Sequence, residues 1–248
     1  MDATITSVSN PLIKQFKKLH RARRRREAAQ TIVEGSNVFG LAIGAGIKPV
    51  AVLVLEEDKV TRELAADRGF PIMVVTEEVM KAAADSANPQ GPVALIDVPA
   101  AGSIRPRDTL VLRDIADPGN VGTMIRSAAA FGWDVCVSGS TADAWSPKVL
   151  RSGVGTHFGV HLASTDNPVL DAHAVGLEVI ATVVADGGES LRGDRPIALM
   201  IGSETHGLSR SDIEQADRTV TLNMPGAIES LNAAVAGSIL MYTLTDDR

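Results

Sequence analysis

The sequence of 248 residues has one cysteine, few aromatic residues and no long apolar run. A single cysteine excludes an internal disulfide framework and is typical of a protein in a reducing cytosol. Because only 3% of the residues are aromatic, we do not expect nucleic acid to be bound mainly by base stacking. The sequence predicts neither a membrane span nor a signal peptide. These absences favour a cytoplasmic globular protein, whose 45% hydrophobic content is enough for a sizeable core.

The net charge of −6 is unevenly distributed along the chain. The first 26 residues carry a net +7, so the rest of the chain carries −13. A basic segment on an acidic body predicts contact with nucleic-acid phosphates, although a solvated helix face gives the same pattern. The candidate RNA-binding residues are Lys14, Lys17, Lys18, Arg21, Arg23, Arg24, Arg25 and Arg26.

Short apolar runs alternate with helical patterns in both halves of the chain, which predicts two α/β layer structures. Residues 99–107 are rich in Pro, Gly and Ala and have no hydrophobic period, so we interpret them as a linker. The prediction is therefore a first domain at 1–98, which carries the basic segment, and a second domain at 108–248. His157 and His161 have helical spacing, but no carboxylate or thiolate lies nearby in sequence, so we predict no metal site.

Three segments of the second half combine glycine turns with polar residues. In the first, NVGTMIRSAAAFG, a turn ending at Asn120 delivers the chain into a helix that carries Arg126. We expect both side chains to point into one cleft, where an amide would orient a hydroxyl and a guanidinium would hold a phosphate. An ordinary turn followed by a surface arginine is the alternative.

The second segment, IGSETHGLS, places Gly202 and Glu204 after an apolar strand. Glycine at the end of a strand lets the backbone approach a ligand closely; a tight loop with a solvated acid is the alternative. The third, NMPGAIESLNAAVAGSILMYTL, sets Ser230 and Asn232 at the start of a helix that is apolar nearly all round. Such a helix is buried in a core or an interface, and simple capping by Ser230 is the alternative for its polar start.

In this order and spacing, the three segments resemble the signature motifs of the SpoU (TrmH-type) RNA ribose 2′-O-methyltransferases of the SPOUT superfamily. The N-terminal part, from NPLIKQFKKL to VFGLAI, is similar to the substrate-binding domain often fused ahead of them. That domain is a small α/β unit like the ribosomal proteins that bind kinked RNA. The resemblance implies an α/β fold whose C-terminal parallel sheet contains a deep trefoil knot, and a homodimer formed through this half.

The resemblance also implies methyl transfer from S-adenosylmethionine to a ribose 2′-hydroxyl of RNA. Ribosomal RNA, above all that of the large subunit, is the favoured substrate, and tRNA is the alternative. The implied catalytic positions are Asn120, Arg126, Glu204, Ser230 and Asn232. The implied cofactor-binding positions are Ile201, Gly202, Glu204, Gly207, Leu222, Met224, Ser230 and Leu231.

A guanidinium holds its proton far above neutral pH, so we assign Arg126 the role of a phosphate and oxyanion clamp and leave the general base open. The third motif departs from the family pattern at Asn223, where proline is usual, and we expect a different path of the cofactor loop there. A Rossmann-type methyltransferase would need a Gly-rich loop after its first strand, which the sequence lacks in register. A non-catalytic RNA-binding or ribosome-assembly factor would not need the five catalytic positions, all of which are intact.

Overall fold

The computed structural model describes residues 4–89, 91–189, 192–226 and 231–245, which fold into two compact units. The first unit combines the chain up to Ala100 with Trp145–Phe158, and the second contains Ala101–Ala144 and the chain from Gly159 onward. The sequence-based division had assigned 145–158 to the C-terminal domain. Within the described ranges, no helix is long and apolar enough to cross a membrane.

The secondary structure alternates between helix and strand along both units. Among the described residues the helices are α1 (Pro11–Leu19), α2 (Ala22–Ala28), α3 (Ser36–Gly44), α4 (Lys59–Arg68), α5 (Glu77–Ala83), α6 (Pro118–Phe131), α7 (Pro147–Ser152), α8 (Pro168–Ala174), α9 (Arg210–Gln215) and α10 (Ala233–Leu244). The strands are β1 (Gln30–Glu34), β2 (Ala51–Val54), β3 (Ile72–Val74), β4 (Val93–Asp97), β5 (Thr109–Arg113), β6 (Asp134–Ser138), β7 (Leu162–Ser164), β8 (Glu178–Thr182), β9 (Ile197–Ile201) and β10 (Arg218–Val220).

The first unit is built on a mixed sheet of order β1-β4-β2-β3. Strand β4 runs antiparallel to β1 and β2, and β3 runs parallel to β2. Successive side chains of a strand point to opposite faces, and here both faces are covered, so the two central strands β2 and β4 are apolar at every position but Asp97. Ile32, Leu53 and Leu95 pack with helices α1 and α5 on one face. On the other face, Val33, Val52 and Ile96 pack with α3 and α7.

Residues 145–158 belong to the core of the first unit although they lie between β6 and β7 in sequence. Leu150 is buried in the cluster on the α3 face of the sheet. Arg151 lies 3.2 Å from a carboxylate oxygen of Glu34 and 2.9 Å from one of Asp85. The carboxylate of Glu34 is almost fully buried, so this arginine compensates a charge that has left water.

The second unit is built on a parallel sheet whose described strands have the order β10-β8-β9-β5-β6-β7. This sheet confirms the predicted α/β class with a parallel C-terminal sheet, while the trefoil knot stays a prediction. Helix α10 packs closely on α6, because Gly237 leaves room for Met124 and the hydroxyls of Ser127 and Ser238 lie 2.7 Å apart.

The segment predicted as a linker is anchored on the second unit. Gly102 forms a β-bridge with Ala163, and Ile104 is buried. Arg105 forms two hydrogen bonds with the carboxylate of Asp134, at 2.9 and 2.8 Å. The absence of a hydrophobic period in 99–107 therefore does not prevent these residues from packing, since isolated contacts hold them.

Candidate functional site

A cleft of about 420 Å³ opens in the second unit where β8, β9 and β10 end. The last residue of each strand, Thr182, Ile201 and Val220, lies in its wall, and the first turn of α10 contributes to the opposite side. Parallel α/β sheets place their ligands at the carboxyl ends of the strands, because the loops that follow the strands converge there. The position of the cleft is thus that of a ligand site.

The structure brings most of the proposed cofactor-binding residues to this cleft. Its lining includes Ile201, Gly202, Glu204, Gly207, Leu222, Met224 and Leu231, whereas Ser230 lies outside the described residues. Sequence reasoning missed the contribution of Thr182–Val184 at the end of β8, and that of His206. Strand β8 reaches the cleft because it lies next to β9 in the sheet, and this strand order cannot be read from the local sequence of β8.

Gly202 is required by the chain's own turn. A Cβ atom at this position would collide with the carbonyl carbon of Gly207 and the backbone nitrogen of Leu208. The loop is closed by a hydrogen bond of 2.7 Å from the Gly207 N–H to the Ser203 carbonyl, and Gly207 itself has φ +67°. The close approach that the structure shows at Gly202 is between two parts of the same loop. That Gly202 also lets the backbone approach a ligand stays a prediction.

The three motifs meet through the side chains of Asn120, Glu204 and Asn232. The Asn120 Nδ2 donates to Glu204 Oε1 at 2.6 Å, and the Asn232 Nδ2 donates to Asn120 Oδ1 at 2.9 Å. Glu204 also lines the cleft, so this polar group stands at its edge. Residues separated by more than 80 positions are thereby brought into one hydrogen-bonded cluster, called here the amide–acid cluster (Asn120, Glu204, Asn232).

Two helix starts position the asparagines of this cluster. Asp117 caps α6 by accepting from the Gly119 N–H at 2.5 Å, so Asn120 lies in the first turn of the helix. The prediction from the sequence that Asn120 lies in a turn before the helix is wrong. Asn232 is the residue that caps α10, because its Oδ1 accepts from the backbone N–H groups of Ala234 and Val235. Capping satisfies donors that a helix start leaves unpaired, and it fixes the side chain at the same time.

Comparison with known proteins identifies the family. Residues 108–242 match the model of the SpoU rRNA Methylase family, and residues 10–94 match that of the MRM3-like substrate binding domain. The chain belongs to the SpoU rRNA methylase family. The motif resemblance found in the sequence is thereby confirmed.

The chain resembles its SpoU relatives over nearly its whole length. It is 31% identical over 245 residues to "23S rRNA (guanosine(2553)-2'-O)-methyltransferase RlmP" of Bacillus subtilis, covering 97% of this chain and 98% of that protein. It is also 31% identical to "23S rRNA (uridine(2479)-2'-O)-methyltransferase" of Streptomyces viridochromogenes, over 91% of this chain and 85% of that one. The AdoMet-bound crystal structure of an rRNA methyltransferase from Sinorhizobium meliloti superposes with a TM-score of 0.88 at 25% identity, covering 97% and 96% of the two chains.

Arg126, the remaining described residue that the motif resemblance proposed as catalytic, stands apart from the amide–acid cluster. It is exposed, and it makes no hydrogen bond or ion pair with any residue in the described ranges. Arg126 follows Asn120 by six residues, and an α-helix turns about 100° per residue, so the two side chains leave α6 in directions about 120° apart. The structure therefore does not bring the two side chains into one cleft within the chain, and the role of Arg126 stays a prediction.

The proposed RNA-binding residues lie on α1 and around α2 in the first unit. Asn10 caps α1 by accepting from the Leu12 N–H at 2.9 Å, and the apolar face of the helix is buried. The exposed cations are Lys14, Lys17, Lys18, Arg21, Arg23, Arg24 and Arg26.

Arg25 corrects this set of RNA-binding residues. It is 6% exposed, and its guanidinium donates to the carbonyls of Leu19 and His20 at 2.8 and 3.1 Å. It therefore satisfies the end of α1 and is not presented to RNA. Glu27 also offsets part of the basic surface, since hydrogen bonds from Arg23 and Arg24 lower the pKa of its carboxyl.

The lone cysteine and the two histidines of the HFGVH segment have local structural partners. Cys136 is buried in β6, and burial raises the pKa of its thiol to about 12. His157 is buried with its ring against Trp145, whereas the His161 Nε2 lies 2.8 Å from the Ser103 carbonyl. In the part of the chain that the structure describes, no group of three or more His, Cys, Asp and Glu residues is arranged to hold a metal ion.

Proposed function

We propose that the chain transfers a methyl group from S-adenosylmethionine to a ribose 2′-hydroxyl of ribosomal RNA, with large-subunit RNA as the first substrate to test. The observation that carries the proposal is the amide–acid cluster at the edge of a cleft formed by parallel strand ends. The relatives from B. subtilis and S. viridochromogenes, whose names specify 23S rRNA, support the choice of substrate.

The residues of the cleft fit S-adenosylmethionine. A volume of about 420 Å³ lies within the range of small-molecule sites. Apolar side chains such as Leu222, Leu231 and Leu240 suit the adenosine and the carbon chain, and main-chain groups around Gly202 and Met224 are available for polar contacts. When bound, this cofactor supplies the electrophilic methyl group.

The residues around the cleft would act mainly by orientation and electrostatics, which account for most of the rate enhancement in such transfers. Glu204 and Asn120, which are hydrogen-bonded to each other at the edge of the cleft, would orient the ribose hydroxyl. Arg126 would hold a substrate phosphate, since its exposed guanidinium has no described partner. Ser230 completes the proposed set, and the identity of the general base is left open.

RNA would be held by the exposed cations of α1 and α2. Lys14, Lys17 and Lys18 project from the solvent side of α1, whose other side is packed in the core of the first unit. Contacts of this kind neutralise phosphates and read little sequence, so they would position the RNA and leave base selection to its shape.

A homodimer would cover an apolar face of α10. Val235, Ile239 and Tyr242 follow one another at intervals of four and three residues, and they are 46%, 41% and 71% exposed. Residues at this spacing share one side of a helix. Ile239→Glu should convert a dimer to monomers in analytical ultracentrifugation. If the wild-type protein itself sediments with the mass of a monomer, the proposed dimer is refuted.

The decisive experiment combines methyl transfer with cofactor binding. The purified protein is incubated with radiolabelled S-adenosylmethionine and with rRNA or tRNA from a strain that lacks the gene, and 2′-O-methyl positions are then mapped. We expect a single new site in 23S rRNA and binding of the cofactor in calorimetry. Methylation of tRNA alone would correct the substrate, and absence of cofactor binding would favour a non-catalytic RNA-binding factor.

We propose the cytoplasm as the compartment, since the bacterial relatives named above carry 23S rRNA in their names.

A further inference from the structure

We propose that Asn232 is a positioning residue that acts through Asn120 to set the orientation of Glu204. Asn232 donates to Asn120 and Asn120 donates to Glu204, and the start of helix α10 determines which group donates in each bond of this hydrogen-bond chain. The inference rests on the proposed function, because the orientation of Glu204 matters only if this residue works at the transfer site. It deepens that function by separating a residue that positions the acid from the residues that meet the substrate.

The donor and acceptor roles in the hydrogen-bond chain follow from backbone N–H groups, which can only donate. The N–H groups of Ala234 and Val235 lie 2.9 and 3.2 Å from one side-chain atom of Asn232. Only an oxygen accepts from them, so Oδ1 of Asn232 must face the helix and Nδ2 must face away from it. Asn232 is therefore obliged to act as a donor toward its neighbour in the cluster.

The same logic orients the next two groups. Since Asn232 donates, the atom of Asn120 at 2.9 Å must be its Oδ1, which leaves Nδ2 of Asn120 directed at Glu204 at 2.6 Å. Glu204 Oε1 is then fixed as an acceptor. The peptide groups at the start of α10 thus determine both amide orientations and the bond that reaches the acid.

Glu204 needs such a constraint because of its place in the chain. It lies in the loop 203–207, whose residues from Glu204 to Gly207 are exposed. Its bond to Asn120 is the one side-chain hydrogen bond or ion pair that the described residues provide for it. Without this bond, the long and exposed side chain of Glu204 would sample several rotamers. The hydrogen-bond chain that starts at the cap of α10 restricts it to one orientation.

The test uses substitutions that retain the cap and change only the outward side. In Asn232→Ser and Asn232→Asp the side-chain oxygen still caps α10, whereas the donor toward Asn120 is lost. In Asn232→Asp, Asn120 turns its amide and presents Oδ1 to Glu204, which repels the carboxylate. We expect kcat for RNA methylation to fall by about 10-fold to 100-fold. Tm should stay within about 2 °C of wild type, while Asn232→Ala also loses the cap and melts lower.

The matched control is Asn167→Asp, which makes the same substitution at the N-cap of α8, a cap without a side-chain hydrogen bond. Its kcat and Tm should equal those of the wild type. A wild-type kcat in Asn232→Asp would overturn the proposal. A loss of Tm in Asn232→Ser and Asn232→Asp as large as in Asn232→Ala would also overturn it, because the residue would then serve the helix alone.

A second measurement does not depend on methyl transfer. Side-chain amide signals of Asn120 and Asn232 in NMR spectra of the full-length protein report the hydrogen bonds directly. Asn232→Asp should displace the Asn120 signal, because the amide turns its Nδ2 toward the new carboxylate. Adding Glu204→Gln should displace it again, because the Gln Nε2 then donates to Oδ1 of the turned Asn120 and replaces a repulsion by a hydrogen bond. No coupling between the two substitutions would refute the chain. If the wild type methylates no RNA but the coupling is present, the proposed function fails and the hydrogen-bond chain stands.

Discussion

The two units use the same kinds of layer for different purposes because their strands run differently. In the second unit all described strands are parallel, so every strand ends at one edge, and the cleft forms there. In the first unit β4 runs antiparallel to its neighbours, so strands end at both edges of that sheet. A parallel sheet concentrates the loops that follow its strands, whereas a mixed sheet distributes them.

The charged groups of the units differ in the same way. The first unit carries exposed cations on α1 and buries the carboxylate of Glu34 against Arg151. The second presents the amide–acid cluster beside an apolar cleft. The comparison teaches that one unit offers charge for a polyanion and the other offers a shaped site for a small molecule. It can be tested by substitutions that damage one unit alone.

The largest effect is expected from Arg126→Ala in the second unit. Under the proposed role of Arg126 as a phosphate and oxyanion clamp, its loss should lower kcat for methyl transfer by about 10²-fold to 10³-fold, with cofactor affinity within about twofold of wild type. Arg126 does not line the cleft, which is why binding should persist. Arg210→Ala, which removes an arginine 92% exposed on α9, is the control. An equal loss of cofactor affinity in calorimetry would contradict this division of roles.

Next in size is Arg151→Met in the first unit. The substitution leaves the buried carboxylate of Glu34 without its cation, and we expect a loss of about 2–3 kcal/mol in the free energy of unfolding, since Arg151 is itself partly exposed. Urea denaturation measures the change. Arg210→Met should cost at most about 0.5 kcal/mol, because its partner Glu214 is also exposed. A loss of cofactor binding in folded Arg151→Met would show that the damage is not confined to the first unit.

Local sequence signals predicted the alternation of helices and strands in both units and much of the lining of the candidate site, but not the short elements α2, α7 and β7. The alternation of apolar runs with helical patterns is a local property of the sequence. So is an asparagine followed by a proline, which is a helix-start signal and marks the beginning of α1 at Asn10-Pro11. The three motif segments indicated residues that do line the cleft. Each of these features depends on residues within about one helical turn or one strand of each other.

Features that depend on distant contacts were not predictable from the same signals. Segment 145–158 joins the first unit through Leu150 and Arg151, whose partners lie more than 50 residues away. Arg25 has the same sequence context as its exposed neighbours, but the turn between α1 and α2 aims it at the carbonyls of α1. Charge alone does not distinguish a cation that caps a helix from one that meets RNA.

A moderate effect is expected when three lysines of α1 are neutralised together. Lys14→Gln, Lys17→Gln and Lys18→Gln should weaken RNA binding about tenfold and reduce the salt dependence of log K by about 2–3 units, since each phosphate contact contributes about 0.7–0.9. The KM for RNA should rise while kcat is maintained. Neutralising the exposed Lys48, Lys59 and Lys148 removes the same charge from the first unit. If this control is equally impaired, net charge and not the face of α1 explains the binding.

The smallest effect concerns two acids, one in each unit, whose pKa values are lowered for different reasons. Hydrogen bonds from Arg23 and Arg24 lower the pKa of the exposed Glu27. For Asp217, burial acts to raise the pKa, but the Val179 N–H at 2.8 Å and His173 at 3.1 Å lower it further than burial raises it.

Both carboxylates therefore stabilise the fold above their unfolded pKa values, and that stability is lost as the pH falls through the lowered pKa values of the folded state. Salt separates the two causes. Raising the concentration from about 0.05 to 0.5 M screens exposed arginines strongly but changes a backbone hydrogen bond little. Carboxyl NMR titrations should thus show the pKa of Glu27 returning toward its ordinary value while that of Asp217 stays low. Equal shifts would mean that Asp217 is held by the charges of His173 and Arg195 and not by the backbone, and that the two units stabilise their acids alike.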